Sequence, residues 1–207
     1  IKKNSEISKN VTNKKKYLAV RFPKHELFRK LLKSLEYPLA APSANISSRL
    51  SAVQASDVKQ EFGAKIKYVL NGGKCNIGLE STIIDLSKKP TILRLGGLEI
   101  EKIKKVLDKK INLNINPKKK ISSGQSRLHY SPGVPLKMNV KKPKNTEAFV
   151  LIKKRNINSK NYYYLSKNNN LKEAARNLYS CLRRIKNQGF KSIAVEKITN
   201  KGLGKTI

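Results

Sequence analysis

Apolar and polar positions alternate with helical spacing near the start of the chain. Between residues 24 and 36, large apolar side chains recur three or four positions apart and lysines fill the opposite face, which predicts an amphipathic helix. Its apolar face consists of Leu27, Phe28, Leu31, Leu32 and Leu35. A shorter helix ending at residue 62 is predicted next, because Ser56 and Asp57 can cap its start and Gly63 can end it.

Short runs of β-branched and aromatic residues predict the strands of a first sheet. Residues 17–21 and residues 66–70 have this composition. Residues 81–86 and 91–95 flank a turn that contains lysine and proline, so we interpret them as neighbouring strands. A helix over residues 99–107, with apolar side chains along one side, follows the glycine pair after the last strand.

The hydrophobic pattern resumes in the second half of the chain with a different order of elements. Strands are predicted at residues 148–152, 162–165 and 192–196, and a helix is predicted over residues 171–187. This alternation is typical of a small α/β domain with a partly parallel sheet. The sequence therefore predicts an α/β protein.

Between the two patterned halves, the chain lacks periodicity and is rich in Asn, Lys, Ser, Gly and Pro. We interpret residues 108–135 as a linker between domains at residues 1–107 and 136–207. The 207 residues are enough for one or two hydrophobic cores. The chain begins at Ile1 without a methionine, and we expect it to be a fragment of a longer protein at both ends.

The formal net charge is +33, from 46 Lys and Arg against 13 Asp and Glu. Such a charge favours contact with RNA or another polyanion, because basic surfaces release counterions from phosphates. However, lysine far outnumbers arginine and the charges are scattered along the chain, so compositional drift on solvated faces is the simpler explanation. The charge alone does not identify a function.

Cysteine usage and the absence of long apolar runs indicate the compartment. Cys75 and Cys181 lie too far apart for a paired metal spacing or a dense disulfide framework, so we expect two free thiols in a reducing environment. No run approaches the roughly 20 apolar residues of a membrane span, and the start lacks a signal-peptide pattern. We expect a cytoplasmic protein without membrane contact.

The loop after residue 41 contains side chains that could bind a nucleotide. Ser43 and Asn45 place a hydroxyl and an amide two residues apart after a short apolar run, where exposed backbone N–H groups can also meet a phosphate. Serine and asparagine are also common turn residues for purely local reasons. Both readings stay open at this point.

Two arginines end predicted strands. Arg21 precedes a proline, and Arg94 precedes Gly96 and Gly97, where a flexible backbone could approach a ligand. Either guanidinium could capture a carboxylate or phosphate with two hydrogen bonds, or form a structural salt bridge. His25 is interpreted as a helix cap or packing residue. No catalytic dyad, zinc cluster, Walker loop or Rossmann fingerprint is recognisable, so no catalytic residue or protein metal ligand is predicted.

Four stretches in a fixed order resemble one known family. They read VRFPKH from residue 20, PLAAPSANIS from residue 38, GLESTIID from residue 78 and ILRLGG from residue 92. This order is similar to the YrdC-type domain of threonylcarbamoyl-AMP synthases. SGQ from residue 123, HYSP from residue 129 and AARNLY from residue 174 resemble the linker and carboxy-terminal domain of the two-domain Sua5 branch.

The resemblance implies a fold and an activity. The fold would be an α+β YrdC-like domain with a twisted mixed sheet, followed by a small Rossmann-like α/β domain. The enzyme would join L-threonine, bicarbonate and ATP into threonylcarbamoyl-adenylate and release pyrophosphate. The product would serve the modification of adenosine 37 in tRNA, together with partner proteins of that pathway. Magnesium is expected on the ATP phosphates.

The resemblance also implies roles for nine residues. The expected ATP contacts are Tyr17, Ser43, Asn45, Ser51, Arg94 and Tyr130. The expected threonine contacts are Arg21, Ala41 and Ser81. The family more often has threonine or serine at position 17, so that contact would come from the backbone. Tyr130 would make the linker a lid over the nucleotide, or would simply dock the linker on the first domain.

The resemblance has one departure, and it leaves two alternatives. The family's opening part, with its Lys-x-Arg phosphate-binding motif, lies outside these residues, so we expect this piece of chain to be weak or inactive alone. One alternative is a non-catalytic basic RNA-binding protein with a YrdC-like surface. The other is carbamoyl transfer, as in hydrogenase maturation proteins, which is disfavoured because those proteins lack the HYSP linker and the domain after it.

Overall fold

The computed structural model describes residues 8–12, 14, 16–118, 122–125 and 130–207, and these residues form two β-sheets with helices packed beside them. The helices are α1 (Glu26–Lys33), α2 (Ala55–Phe62), α3 (Ile100–Leu107) and α4 (Leu171–Asn187). The strands are β1 (Ile83–Asp85), β2 (Thr91–Arg94), β3 (Asn112–Leu113), β4 (Leu136–Lys137), β5 (Ala148–Lys153), β6 (Tyr162–Ser166) and β7 (Ile193–Val195). Single 3-10 turns lie at Gly63–Lys65 and Gly202–Lys205. The predicted α/β class is confirmed.

The first sheet is mixed, with strand order β1-β2-β3. β1 and β2 pair antiparallel, whereas β2 and β3 pair parallel. β3 belongs to the stretch that the sequence predicts as a linker, so this stretch begins as a strand of the first sheet. A small core lies beside the sheet, where Ile92, Ile100 and Ile111 are buried together. The division into domains and linker stays a prediction.

The second sheet is parallel throughout, in the order β4-β7-β5-β6. β5 is buried at its first five positions, as expected for a central strand covered on both faces. α4 covers one face with a stripe of buried side chains that recur at helical spacing. These side chains are Ala174, Ala175, Tyr179, Cys181, Leu182 and Ile185. Asn170 starts this helix by accepting hydrogen bonds from the backbone of Lys172 and Glu173.

The two halves of the chain share one apolar core. Leu50 and Val53, which flank Ser51, are buried in the same cluster as Val150 of β5 and Leu182 of α4. Apolar burial of this kind stabilises by about 25 cal/mol per Å². The packing of the second sheet therefore fixes the position of the chain around residue 50.

Two predicted strands are wrong. Tyr17 forms an isolated bridge and residues 18–21 are irregular, and residues 66–70 also lack strand structure. Strand propensity is realised only where a neighbouring strand offers a ladder of hydrogen bonds, and no ladder extends along either stretch within the described residues. Tyr68, in the second stretch, is 90% exposed.

The helix caps differ in part from the predicted ones. α2 begins after Gln54, and Asp57 lies in its first turn, where it accepts a hydrogen bond from the backbone N–H of Val53. His25 does cap α1, since its Nδ1 accepts from the N–H of Phe28 over 3.4 Å. The other ring nitrogen of His25 lies 3.1 Å from the carbonyl oxygen of Gly72. His25 is therefore a capping and packing residue, as the sequence indicates.

Candidate active site

The guanidinium of Arg94 is held from three sides at the end of β2. Its Nε donates to the carbonyl oxygen of Ser81 over 2.9 Å, and its Nη1 donates to the Tyr130 hydroxyl over 3.1 Å. Its Nη2 lies 3.9 Å from Oε2 of Glu80, and the side chain is only 10% exposed. Because a guanidinium is planar, these contacts fix its orientation as well as its position.

The glycine pair after β2 explains why Arg94 faces the stretch before β1. A Cβ at Gly96 would lie 2.3 Å from both the Glu80 carbonyl oxygen and the Thr82 nitrogen, so only glycine allows this approach. The N–H of Gly97 then donates to the same Glu80 carbonyl over 2.8 Å. The two segments are thereby locked together at the arginine.

Glu80 is a residue to which the sequence assigned no role. Its Oε1 accepts a hydrogen bond from the Ser51 hydroxyl, while its Oε2 faces Arg94. It therefore connects two residues that were predicted separately as ATP contacts. The sequence contains a signal for this residue. Glu80 directly precedes the predicted strand 81–86, which pairs with the strand that carries Arg94, and acidic residues are scarce in a chain with 13 Asp and Glu against 46 Lys and Arg.

Tyr130 joins the linker to both halves of the chain. Its ring stacks on Tyr179 of α4, with centroids 6.0 Å apart and planes 24° apart. The next residue, Ser131, donates its backbone N–H to the carbonyl oxygen of Ser48 over 2.9 Å. Burial raises the pKa of Tyr130, and the nearby Arg94 opposes this shift. The hydroxyl is consequently protonated at neutral pH and can donate as well as accept.

The SGQ stretch of the linker also docks beside the arginine. The Gln125 side-chain amide donates to the carbonyl oxygens of Leu93 over 2.9 Å and of Asn114 over 3.1 Å. Gly124 has a positive φ of 87°, and a Cβ there would lie 2.6 Å from Cδ of Arg94. His129, the histidine of the HYSP stretch, lies outside the described residues.

Asn45 holds the turn within the loop that carries Ser43, Asn45 and Ser51. The Asn45 amide donates to the carbonyl oxygens of Ile46 over 2.9 Å and of Arg49 over 3.1 Å. Its Oδ1 is buried and has no hydrogen bond within the described residues. Asn45 thus shapes the turn, and it leaves one buried acceptor unused.

The structure gathers some of the predicted site residues and not others. Ser51, Ser81, Arg94 and Tyr130 meet in one polar cluster, with Glu80 between them. Of the five other predicted contacts, Asn45 is half-buried in its own turn, and Tyr17, Arg21, Ala41 and Ser43 have exposed side chains. No hydrogen bond or ion pair of the described chain connects these four to Arg94. Their roles, like those of the gathered residues, stay predictions.

The described part of the chain offers no protein site for a metal ion. It contains no group of three or more His, Cys, Asp or Glu arranged to hold one. Glu80 already engages a hydroxyl and a guanidinium, so the donor set at the cluster does not fit magnesium. Among the same residues, no helix combines the length and apolar character needed to cross a membrane.

Two open surface depressions lie away from the polar cluster. One, of about 480 Å³, is lined by Lys104, Asp108 and neighbouring residues at the end of α3. The other, of about 520 Å³, lies beside the 3-10 turn after α2 and includes Tyr68. Neither contains any of the residues predicted to bind ATP or threonine.

A mixed sheet, a parallel sheet and a linker tyrosine that contacts both halves of the chain define an α/β protein with a polar cluster at the end of β2. A family model described as telomere recombination, which covers Sua5, YciO and YrdC proteins, matches residues 1–96. A model described as the C-terminal domain of threonylcarbamoyl-AMP synthase matches residues 98–207. The chain belongs to the Sua5/YrdC family, in its two-domain Sua5 branch, and the resemblance seen in the sequence is confirmed.

Known relatives and a solved structure agree with this assignment. The chain is 34% identical over 226 residues to the threonylcarbamoyl-AMP synthase of Pyrococcus abyssi, covering 98% of this chain and 65% of that protein. It is 35% identical over 140 residues to the enzyme of the same name from Bacillus subtilis, covering 65% of this chain and 40% of the relative. The crystal structure of P. abyssi Sua5 complexed with L-threonine matches with a TM-score of 0.83 and 31% identity, over 100% of this chain and 66% of the other. The chain thus spans about two thirds of the P. abyssi protein.

Proposed function

We propose that this chain carries the nucleotide-binding and threonine-binding wall of a threonylcarbamoyl-AMP synthase, a nucleotidyltransferase that acts on L-threonine, bicarbonate and ATP. The observation that carries the proposal is the meeting of Ser51, Ser81, Arg94 and Tyr130, from four separate stretches, around one buried guanidinium. A fixed arginine with the Tyr130 hydroxyl beside it, and with the Ser51 hydroxyl linked to it through Glu80, is suited to a polyphosphate.

The proposed reaction forms one bond to phosphorus and breaks another. The threonine amine and bicarbonate first give a carbamate with loss of water. A carbamate oxygen then attacks the α-phosphorus of ATP, the bond from that phosphorus to the bridging oxygen breaks, and pyrophosphate leaves. Such a transfer depends on positioning and positive charge more than on a strong base, which agrees with a site built on an arginine.

Each residue of the cluster has a defined part in this proposal. Arg94 binds the phosphates and stabilises the charge that passes to pyrophosphate, while Ser51 donates a hydroxyl to the nucleotide. Tyr130, protonated and half-buried, covers the adenylate from the linker side and excludes water. Ser81 and Arg21 face the threonine, with the Arg21 guanidinium on its carboxylate. Magnesium would arrive with the ATP, and no step is assigned to it.

The wider assignments follow from the same proposal. The product would feed the threonylcarbamoyl modification of adenosine 37 in tRNA, in the cytoplasm where ATP and tRNA occur together. The net charge of +33 would assist contact with tRNA. Proteins that transfer the threonylcarbamoyl group to tRNA are the expected partners.

The test compares ATP binding and turnover in matched variants. ATP affinity of the 207-residue chain is measured by calorimetry, and pyrophosphate release is measured with threonine, bicarbonate and ATP, omitting each in turn. Arg94→Ala should weaken ATP binding at least about tenfold, because a charge-assisted pair of hydrogen bonds is lost. Arg155→Ala, at an exposed arginine of the second domain, should leave ATP binding unchanged.

Different outcomes separate the proposal from its alternative. Turnover that requires all three substrates, even if slow, supports the synthase. Full turnover by this piece of chain would refute the expectation that the Lys-x-Arg region is needed. No ATP binding, together with RNA binding that falls steeply with salt and ignores ATP, would replace the synthase by a basic RNA-binding protein.

A further inference from the structure

Arg183 of α4 reaches from the second domain into the first. Its Nη1 donates to Oε2 of Glu61 over 3.1 Å, and its Nη2 donates to the carbonyl oxygen of Leu50 over 2.5 Å. The arginine side chain is 16% exposed and that of Glu61 only 4%. Two directional hydrogen bonds from one buried guanidinium make this contact specific in geometry.

Glu61 connects Arg183 to the loop that carries the predicted ATP contacts. Its second oxygen, Oε1, accepts a hydrogen bond from the backbone N–H of Ile46 over 3.0 Å, next to Asn45. The same oxygen lies 3.9 Å from Nη1 of Arg49. The carboxylate therefore connects the start of the loop with the second domain.

The far end of the loop is tied to the same arginine. Oδ2 of Asp57 accepts from the N–H of Val53 over 2.9 Å and lies 3.9 Å from Nε of Arg183. The longer distance is an attraction between charges rather than a hydrogen bond. With Leu50 held directly, three points between residues 46 and 53 depend on one guanidinium.

We propose that Arg183 is a positioning residue for the nucleotide loop, so that the second domain sets the geometry in which the first domain binds ATP. This inference rests on the proposed function, which places Ser51 of the loop on the nucleotide, and on the resemblance, which implies the same for Ser43 and Asn45. The arginine touches no substrate and acts through Glu61, Asp57 and the Leu50 carbonyl. Lysine at this position would keep the charge, but it could not donate in two fixed directions.

Hydrogen exchange of the loop amides tests the contact without any need for turnover. In Arg183→Gln, we expect deuterium uptake over residues 45–53 to become at least about tenfold faster, because Glu61 loses the partner that holds it beside Ile46. Arg183→Lys should restore part of the protection. Glu61→Gln keeps an acceptor for the Ile46 N–H but weakens the contact with Arg183, so deuterium uptake over residues 45–53 should rise less than in Arg183→Gln. If Arg183→Gln fails to fold, Glu61→Gln provides the test in its place.

Two control variants separate loop positioning from general loosening. Lys74→Met removes another interdomain contact, the 3.3 Å hydrogen bond from Lys74 to Asn177 of α4, without touching the loop. Arg184→Gln makes the same charge change one position along the helix, where the arginine lies over the Tyr163 ring. Both controls should leave the exchange of residues 45–53 as in the wild type.

ATP affinity completes the test. Arg183→Gln should weaken ATP binding about tenfold or more, with partial rescue in Arg183→Lys and no change in Lys74→Met. Unchanged loop exchange in a folded Arg183→Gln protein that binds ATP normally would overturn the positioning role and leave the proposed function intact. Absence of ATP binding by the wild-type chain would overturn the proposed function and, with it, the ligand assigned to the loop.

Discussion

The guanidinium of Arg94 donates a 3.1 Å hydrogen bond to the hydroxyl oxygen of Tyr130, a residue 36 positions further along the chain. The Tyr130 ring also stacks on Tyr179 of α4. One linker side chain therefore connects the first sheet with the helix that covers the second sheet. Its polar and apolar contacts can be removed separately by substitution.

Tyr130→Phe and Tyr130→Leu should destabilise the protein in two steps. The phenylalanine keeps the stacking and loses the hydroxyl, so the free energy of unfolding should fall by about 1 kcal/mol. The leucine also loses the aromatic pair, which adds about 0.5–1.5 kcal/mol. Urea denaturation measures both. The same substitutions at Tyr68, which is 90% exposed, should change the free energy of unfolding by no more than about 0.5 kcal/mol. Equal losses of stability at both positions would show that Tyr130 does not dock the linker.

Arg94 and Glu80 should be strongly coupled in stability. Arg94→Met leaves the Glu80 carboxylate without its cation at a site where the two side chains are 10% and 21% exposed, so we expect a loss of about 1–3 kcal/mol. Adding Glu80→Gln to Arg94→Met should cost less than Glu80→Gln costs in the wild type, because the partner charge is already absent. A double-mutant cycle by urea denaturation gives the coupling, which we expect at about 0.5–3 kcal/mol.

An exposed ion pair provides the control for this cycle. Lys30 and Glu26 lie four positions apart on α1, with side chains 72% and 84% exposed. Their cycle, Lys30→Met with Glu26→Gln, should give a coupling of no more than about 0.5 kcal/mol. A coupling for Arg94 and Glu80 as small as this would mean that the buried pair does not hold the guanidinium.

The sequence predicts the hairpin of the site well and the long-range contacts poorly. Residues 81–86 and 91–95 carry β-branched side chains around a turn, so their pairing is local and places Ser81 near Arg94. The Ser51 contact with Glu80 spans 29 positions, and the Arg183 contact with Glu61 spans 122. Such pairs depend on how complete elements pack, and neither hydrophobic period nor residue type specifies that packing. The same reason explains why the strand predicted at residues 66–70 is wrong: its residues favour a strand, but the described part of the chain offers no strand to pair with it.

Gly78 should be irreplaceable because of its contact with α4. Its φ is +71°, and an added Cβ would lie 2.6 Å from Cα of Arg176 and 2.7 Å from the carbonyl oxygen of Ala175. These are backbone atoms of a helix, so the helix would have to move. We expect Gly78→Ala to lower the free energy of unfolding by more than about 2 kcal/mol, because backbone strain and overpacking add.

Gly73→Ala is the matched control for the substitution at Gly78. Gly73 has a similar φ of +80°, but an added Cβ there would meet no atom within 4 Å. Its substitution should cost about 1 kcal/mol, from the backbone conformation alone. Guanidinium denaturation of both variants measures the difference. Equal losses would indicate that the Gly78 segment does not press against α4.

Glu147 should make the free energy of unfolding fall as the solution becomes acidic. Its Oε1 accepts from the Lys137 ammonium over 2.5 Å and its Oε2 accepts from the Lys144 backbone N–H over 2.9 Å. The hydrogen bond from Lys137 is the main reason that the pKa of this carboxyl falls from 4.5 to about 2. A lowered native pKa means that the unfolded chain binds the proton more readily. The stabilisation is therefore complete above about pH 4.5 and is lost as the pH falls from there towards about 2.

Glu147→Gln should remove this part of the acid sensitivity, because the amide does not titrate. Urea denaturation between pH 6 and pH 3 measures the effect, and we expect the free energy of unfolding to fall less steeply with acid in the variant than in the wild type. Glu26→Gln makes the same charge change at an exposed position and should track the wild type. Repulsion within a chain of charge +33 also grows in acid, but it acts on all three proteins alike. Parallel curves for Glu147→Gln and the wild type would show that Lys137 does not hold the carboxylate in solution.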